Sequence, residues 1–251
     1  MTALLSSVSA FGDVLCDYLA LKHQQTGPSL RAIGQVIVGW HSAKVEAEAR
    51  SARFGNLFNP LSLIPLKETI HSRIIGELLN PRGSHGQDDL FLRCLLKRLR
   101  IPEPESGKWK LTVEADRVDL MLVRAKPRSV ILIENKVNDA VDQPNQLYRY
   151  WHRQVFRRYP SLNYEEPETH QSFRVIYLSN DGRKAPEPHS IARPDDWKGI
   201  NPMHPTLPLA WEPLGLGDLL NLLKATAFEE APETNVRLRT FVEMYSEIWN
   251  L

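Results

Sequence analysis

The stretch SVILIENK, residues 129–136, constrains what this chain can fold into more than any other. Val130 to Ile133 read as a strand that is apolar on both faces, and such a strand is stable only between two layers of structure. The run then meets Glu134 and Lys136. Residues two apart on a strand point to the same side. A carboxylate and an ammonium therefore leave the end of a buried strand together. Upstream, RVDLMLV (117–123) reads as a second strand, joined to the first by RAKPR, which is short enough for a hairpin. It carries Asp119 among apolar neighbours, where an ionised carboxylate is costly unless it is paired or binds a cation. Conventional pairing lets Asp119 and Glu134 reach one end of the sheet. Two acids and an amine there form a site for Mg2+, a hard cation that takes oxygen ligands and keeps several waters. Taken singly, an E-x-K on a strand reads as a surface ion pair, and a strand Asp as a structural hydrogen-bonding group.

The surrounding pattern alternates helices and strands. Residues 1 to about 50 read as two helices broken near TGPS (26–29), the first carrying Leu4, Val8, Phe11, Leu15 and Leu19 at helical spacing. ARFGNLFNPLSLIP (52–65) is a loop by its Gly, Asn and Pro punctuation. Leu66, Ile70, Ile74, Ile75, Leu78 and Leu79 mark a helix ending at Asn80-Pro81, and residues 88–99 a second, with Asp88 available as N-cap. WKLTVEA (109–115) and SFRVIYLS (172–179) are further strands, and 143–158 returns to helix. The Pro-bearing region 181–213 reads as an irregular excursion, followed by closing helices within 217–249. The order predicts an α/β (α+β) chain with a mixed sheet and helices on both faces.

Composition excludes more than it asserts. Lys+Arg 31 against Asp+Glu 30 leaves a net charge of +1, so only a local basic surface could meet a nucleic acid. Cys16 and Cys94 form neither a disulfide framework nor a metal-ligand set, which suits a reducing cytoplasm. The N-terminus lacks a basic leader region, and Asp13 and Asp17 interrupt its apolar stretch. No run approaches the roughly 20 apolar residues that span a bilayer. The expectation is a cytoplasmic protein with no membrane partner.

Taken together, strand-Asp119, hairpin, apolar strand, Glu134-x-Lys136 and a following helix with Gln146 and Tyr150 at Q-x-x-x-Y spacing resemble the PD-(D/E)XK nuclease superfamily. The upstream E-x-x-H-S helix (Glu68, His71) and the GSHG loop are similar to one branch, and Q-x-x-x-Y to RecB-type members. Val118 stands where the name-giving motif has Pro, a variable position. The resemblance covers about residues 55–180 and implies a restriction-endonuclease-like domain over 55–251, with residues 1–54 as a helical extension packed on it. It implies a Mg2+-dependent deoxyribonuclease, with Mn2+ able to substitute, serving restriction, repair or defence. Asp119, Glu134, the backbone carbonyl of Asn135 and helix-borne Glu68 would hold the metal, and Lys136 would orient the attacking water and stabilise phosphoryl charge. Gln146 and Tyr150 would touch substrate phosphate or position Lys136.

Other residues keep two readings. His71 is a ligand or phosphate contact, or a hydrogen-bonded helix histidine. His85 is read as loop structure and Glu77 as solvated. Arg153 and Arg157 continue the helical face of Gln146, flanked by Arg149 and Arg158, as a phosphate track or a solvated face. Arg93, Lys97, Arg98 and Arg100 make a second basic cluster, suited also to a helix C-terminus. A nuclease acting on RNA and a non-cleaving nucleic-acid-binding scaffold on the same fold stay open, as does a homodimer.

Overall fold

A computed structural model describes residues 27–54, 58–197, 199 and 204–248. Contacts divide the chain near residue 63 into an N-terminal unit and a larger one, Ile64–Asn250. In the N-terminal unit, helix α1 (Gly27–Phe54) begins at the TGPS break, and a 3-10 turn follows at Pro60–Leu63. The loop expected from residue 52 starts later, because residues 52–54 continue the helix. The helix expected around Leu4 to Leu19 lies outside the described residues.

The larger unit opens with α2 (Glu68–Leu79) and α3 (Leu90–Arg98). Strands β1 (Trp109–Ala115), β2 (Val118–Arg124) and β3 (Ser129–Lys136) follow. Helix α4 (Gln146–Trp151) runs on into a π turn at His152–Phe156. The short α5 (Pro167–Ser172) precedes β4 (Phe173–Ser179), and α6 (Pro188–Ile191) precedes β5 (Trp211–Gly215). Helices α7 (Leu216–Glu229) and α8 (Val236–Glu247) close the unit.

The five strands form one mixed sheet in the order β1-β2-β3-β4-β5. The first three pair antiparallel, and β3, β4 and β5 pair parallel. Every residue of β3 and of β4 is buried, as a strand with two covered faces requires. On one face Met121, Leu132, Val175 and Tyr177 pack against Leu147, Tyr148 and Trp151 of α4. On the other, α2 lies so close that a Cβ on Gly76 would stand 2.3 Å from Val113 and 3.2 Å from Leu120. Each fully buried Leu or Ile contributes roughly 1.5–3 kcal/mol relative to exposure. A one-residue slip of β3 would move its acid and its lysine to the opposite face, so the register is well specified.

Two expectations need correction. Asp88 is not the N-cap of α3: its φ of 47° is left-handed, and the helix begins two residues later. Asp89 stands at the cap without a side-chain cap bond, and its Oδ1 lies 3.2 Å from Arg93 Nε one turn on. Region 181–213 is also less irregular than its prolines suggest, since β5 starts within it at Trp211. Pro213 pairs with Tyr177 at the sheet's outer edge, where the missing N–H leaves no inner ladder bond unmade. No helix among the described residues is long and apolar enough to cross a membrane.

Candidate active site

Hairpin geometry assembles the site. Leu120 pairs with Ile133, so one step further along β2 sets Asp119 against Glu134, on the face shared by Met121 and Leu132. Lys136 follows on that same face. The Asp119 carboxylate takes the place of a ladder partner: its Oδ2 accepts the Asn135 amide N–H at 2.7 Å. The β1–β2 turn, Asp116 and Arg117, has both φ angles positive (55° and 70°), the mirror-type geometry that suits a two-residue hairpin. Helix α4 clamps this turn. The Tyr150 hydroxyl donates to the Arg117 carbonyl. Gln154 Nε2 donates to Asp116 Oδ2 at 2.9 Å, and Arg153 to the Asp116 carbonyl at 3.1 Å. Asp119 is thus fixed from both sides.

Glu134 and Lys136 are buried and paired, with Nζ 2.8 Å from Glu134 Oε1. Gln146 binds both: its Nε2 donates to Glu134 Oε1 at 2.7 Å, and its Oε1 accepts from Lys136 at 3.1 Å. The same Nε2 lies 2.8 Å from the Tyr150 hydroxyl. The Q-x-x-x-Y pair therefore stands beside the lysine, as its helical spacing allows. Burial, then the neighbouring Asp119 carboxylate, push Glu134 up to about 8, against the pull of Lys136. Burial likewise pushes Asp119 up to about 6, opposed by the Asn135 amide. For Lys136, burial acts downward, but Glu134 and Asp142 outweigh it and its pKa is raised.

Glu68 opens α2, whose first turn is tied to the end of β3. Asn135 Nδ2 donates to the Glu68 carbonyl at 3.1 Å and to Ser72 Oγ at 3.0 Å. Burial raises the Glu68 pKa, while Lys136 and Lys184 act to lower it. Among the described residues, two carboxylate oxygens, Glu134 Oε2 and Glu68 Oε1, are buried with no hydrogen-bond partner. An orphaned carboxylate oxygen inside a protein is costly, and a cation relieves that cost. Among the described residues, no three His, Cys, Asp or Glu side chains are gathered as a ready metal cluster. Mg2+ does not need one, since it is commonly held by one or two carboxylates with water and substrate phosphate. Asp119, Glu134 and the Asn135 carbonyl fit such a cation by their chemistry, with Glu68 at the margin.

Several expected residues lie elsewhere or behave differently. His71, expected as a ligand or phosphate contact or as a hydrogen-bonded helix histidine, is fully buried, with Nδ1 2.7 Å from the Tyr245 hydroxyl of α8, and burial pushes it down to about 4. Its position one turn past Glu68 turns it into the packing between α2 and α8. His85 supports its own loop through the Asn80 carbonyl and the Gln87 amide. Exposed Glu77 does more than face water, since it accepts the Ser84 amide. Arg153 and Arg157 are exposed but do not share the face assumed for them. The Arg157 amide reaches back five residues to the His152 carbonyl, and that extra residue in the turn rotates Arg157 by about 100°. Arg149 and Arg158 are exposed, Arg158 bonding Gln154. In the second basic cluster, Arg93 and Lys97 are paired with Asp89 and Glu105.

Sequence reasoning missed Asp142, Gln154 and Tyr177, which support the site from behind. Gln154 stands eight residues after Gln146 on the same helix, a spacing that could have pointed to it. A cavity of about 580 Å3 lined by Arg73, Ile74, Leu78 and Phe241 contains none of the site residues. A family model described as the PD-(D/E)XK nuclease superfamily matches residues 55–203, more than half of the chain. No curated protein and no solved structure matches it.

Proposed function

The chain belongs to the PD-(D/E)XK nuclease superfamily, and from that premise we propose that it is a Mg2+-dependent nuclease hydrolysing phosphodiester bonds in DNA, with Mn2+ able to substitute. The observation that carries the reading is the arrangement of Asp119, Glu134 and Lys136 on one face at one sheet end, with Glu134 Oε2 buried and unpartnered.

In this reading Asp119, Glu134 and the Asn135 carbonyl hold the cation, with Glu68 completing the shell directly or through water. When bound, the metal supplies a Lewis acid for the scissile phosphate and an acidified water. The residues do the rest. Gln146 and Lys136 both contact Glu134 Oε1, so Oε2 is the oxygen of that carboxylate left to meet the metal. The Lys136 ammonium is preorganised to orient the attacking water and to meet the charge that develops on the phosphoryl oxygens. Buried surroundings strengthen that interaction, because little water is present to screen it. Arg153, bonded to the β1–β2 turn near Asp119, would contact a substrate phosphate in this reading. Restriction, repair or defence against foreign DNA in the cytoplasm is the setting in which such an activity would serve.

One observation favours a second reading, a non-cleaving nucleic-acid-binding module. Glu134 Oε1 already has two donors, so its pairing with Lys136 is complete without any metal. A single set of assays separates them: supercoiled plasmid, linear duplex, single-stranded DNA and RNA, each with Mg2+, Mn2+ or EDTA. Metal-dependent cleavage of DNA supports the proposal, and cleavage of RNA alone reassigns the substrate. No cleavage of any substrate with either metal favours the binding module. Calorimetry adds a direct check, in which Asp119→Ala should abolish most of the Mg2+ binding while the fold survives.

A further inference from the structure

Asp142 lies in the connection between β3 and α4, and its carboxylate is completely shielded from solvent. Its oxygens are fixed from two other segments of the chain. The Tyr177 hydroxyl of β4 donates to Oδ1 at 2.8 Å, and the Glu187 amide donates to Oδ2 at 2.7 Å. His189 Nε2 lies 3.2 Å from the Asp142 carbonyl, so the residue is held by backbone and side chain alike. This carboxylate faces Lys136, with Oδ1 3.7 Å from Nζ.

The ammonium of Lys136 is ringed by Glu134 Oε1 at 2.8 Å, Gln146 Oε1 at 3.1 Å, the Val141 carbonyl at 3.3 Å and Asp142 Oδ1 at 3.7 Å. Only Glu134 and Asp142 among these are carboxylic acids. The two acids differ in freedom. Both Asp142 oxygens have donors, whereas Glu134 keeps Oε2 unpartnered. If Glu134 turns its carboxylate toward a cation, the ammonium loses its nearest counter-charge. A buried ammonium without one is expensive.

We infer that Asp142 is a positioning residue, the resident counter-ion that holds the Lys136 ammonium in place while Glu134 engages the metal. Tyr177 and the Glu187 amide act through it by keeping its carboxylate from swinging away. The segment after β4, from residue 187 to 189, thereby gains a part in the site although it touches none of the reacting groups. The inference rests on the metal-dependent nuclease reading.

The test uses the full chain and Mg2+ alone, followed by calorimetry and single-turnover cleavage. Asp142→Asn should weaken Mg2+ binding on the order of tenfold, the scale on which outer-shell partners act, because Lys136 then keeps hold of Glu134. The cleavage rate at saturating Mg2+ should fall by about tenfold to a hundredfold, with nucleic-acid affinity in Ca2+ unchanged. A residue that only braces the loop would lower the melting temperature without this coupling. In a Lys136→Met background, Asp142→Asn should therefore lose most of its effect on Mg2+ affinity. Tyr177→Phe, which removes only a hydroxyl, should give a smaller change of the same sign and serves if Asp142→Asn does not fold. Equal Mg2+ affinity and rate in Asp142→Asn and parent, or an undiminished loss in the Lys136→Met background, overturns the inference and leaves the nuclease reading intact. A parent that neither binds Mg2+ nor cleaves overturns both.

Discussion

Arg124, at the closed end of the β2–β3 hairpin, and Glu134 with Lys136, at its open end, are all at most 5 % exposed, yet their surroundings differ in kind. The Arg124 guanidinium donates to the Pro127 carbonyl at 2.9 Å, the Pro102 carbonyl at 3.1 Å, Ser129 Oγ at 2.9 Å and the Glu103 carbonyl. It also stacks 4.5 Å from the centre of the Trp109 ring. Every direction of the fork is met by a neutral acceptor or an aromatic face, which is how a buried arginine is tolerated. At the open end two acids crowd one another, and a carboxylate oxygen is left with no donor. A finished charge site has its partners within the fold, whereas an unfinished one keeps an oxygen whose burial cost a ligand could relieve. The same hairpin holds both, with Glu134 about 17 Å and Lys136 about 23 Å from the level of Arg124 by strand rise.

The largest expected effect separates the two ends by chemistry. Lys136→Ala should cut single-turnover cleavage by on the order of a hundredfold or more if, as proposed, the lysine acts mainly in the transition state. Nucleic-acid binding should change far less. If cleavage persists at the parental rate, the open end is a salt bridge and the contrast with Arg124 disappears.

Arg124→Ala should do the reverse. Orphaning several carbonyls should lower unfolding free energy by about 2 kcal/mol, read by denaturant melts, while cleavage per folded molecule stays at the parental level. A loss of activity at unchanged stability would make the closed end part of the site.

Stability against pH sharpens the comparison further. The folded-state pKa of Glu134 is raised from 4.5 to about 8 and that of Asp119 from 3.8 to about 6. The folded protein therefore holds protons that the unfolded chain releases. The resulting stability is full below about pH 4 and lost as pH rises toward 8. Metal-free melting temperatures should fall over that window, by about 2–4 °C for each kcal/mol lost, and Mg2+ should restore them at pH 8. Glu134→Gln should flatten most of the dependence. A melting temperature that rises between pH 6 and 8 without metal would contradict the electrostatics of the open end.

The smallest effect concerns the rim. Arg153→Ala should reduce the salt slope of nucleic-acid binding by about one unit, as for one lost phosphate contact. Arg157→Ala should change it less, because the π turn rotates that side chain off the face of Gln146. Equal slopes for parent and Arg153→Ala would make this arginine a clamp for the β1–β2 turn alone.

Much of this arrangement is local, and local features are legible in a sequence. The apolar run Val130 to Ile133 dictates a strand covered on both faces, and β3 is buried throughout. A four-residue connection between paired Arg124 and Ser129 dictates the hairpin register, and so the meeting of Asp119 with Glu134. Helical spacing sets Gln146 and Tyr150 side by side. Each follows from backbone periodicity over a few residues.

What remained hidden depends on partners far away in the chain. His71 and Glu68 share a helix face, yet His71 is claimed by Tyr245, 174 residues on. Asp142 looks like an ordinary loop residue until Tyr177 and Glu187 close over it, 35 and 45 residues later. Pro213 argues against a strand until the sheet leaves it an outer edge. The π turn that displaces Arg157 appears only where α4 packs against the sheet. Periodicity fixes the direction in which a side chain leaves its own backbone, and only close packing between distant segments decides what it then meets.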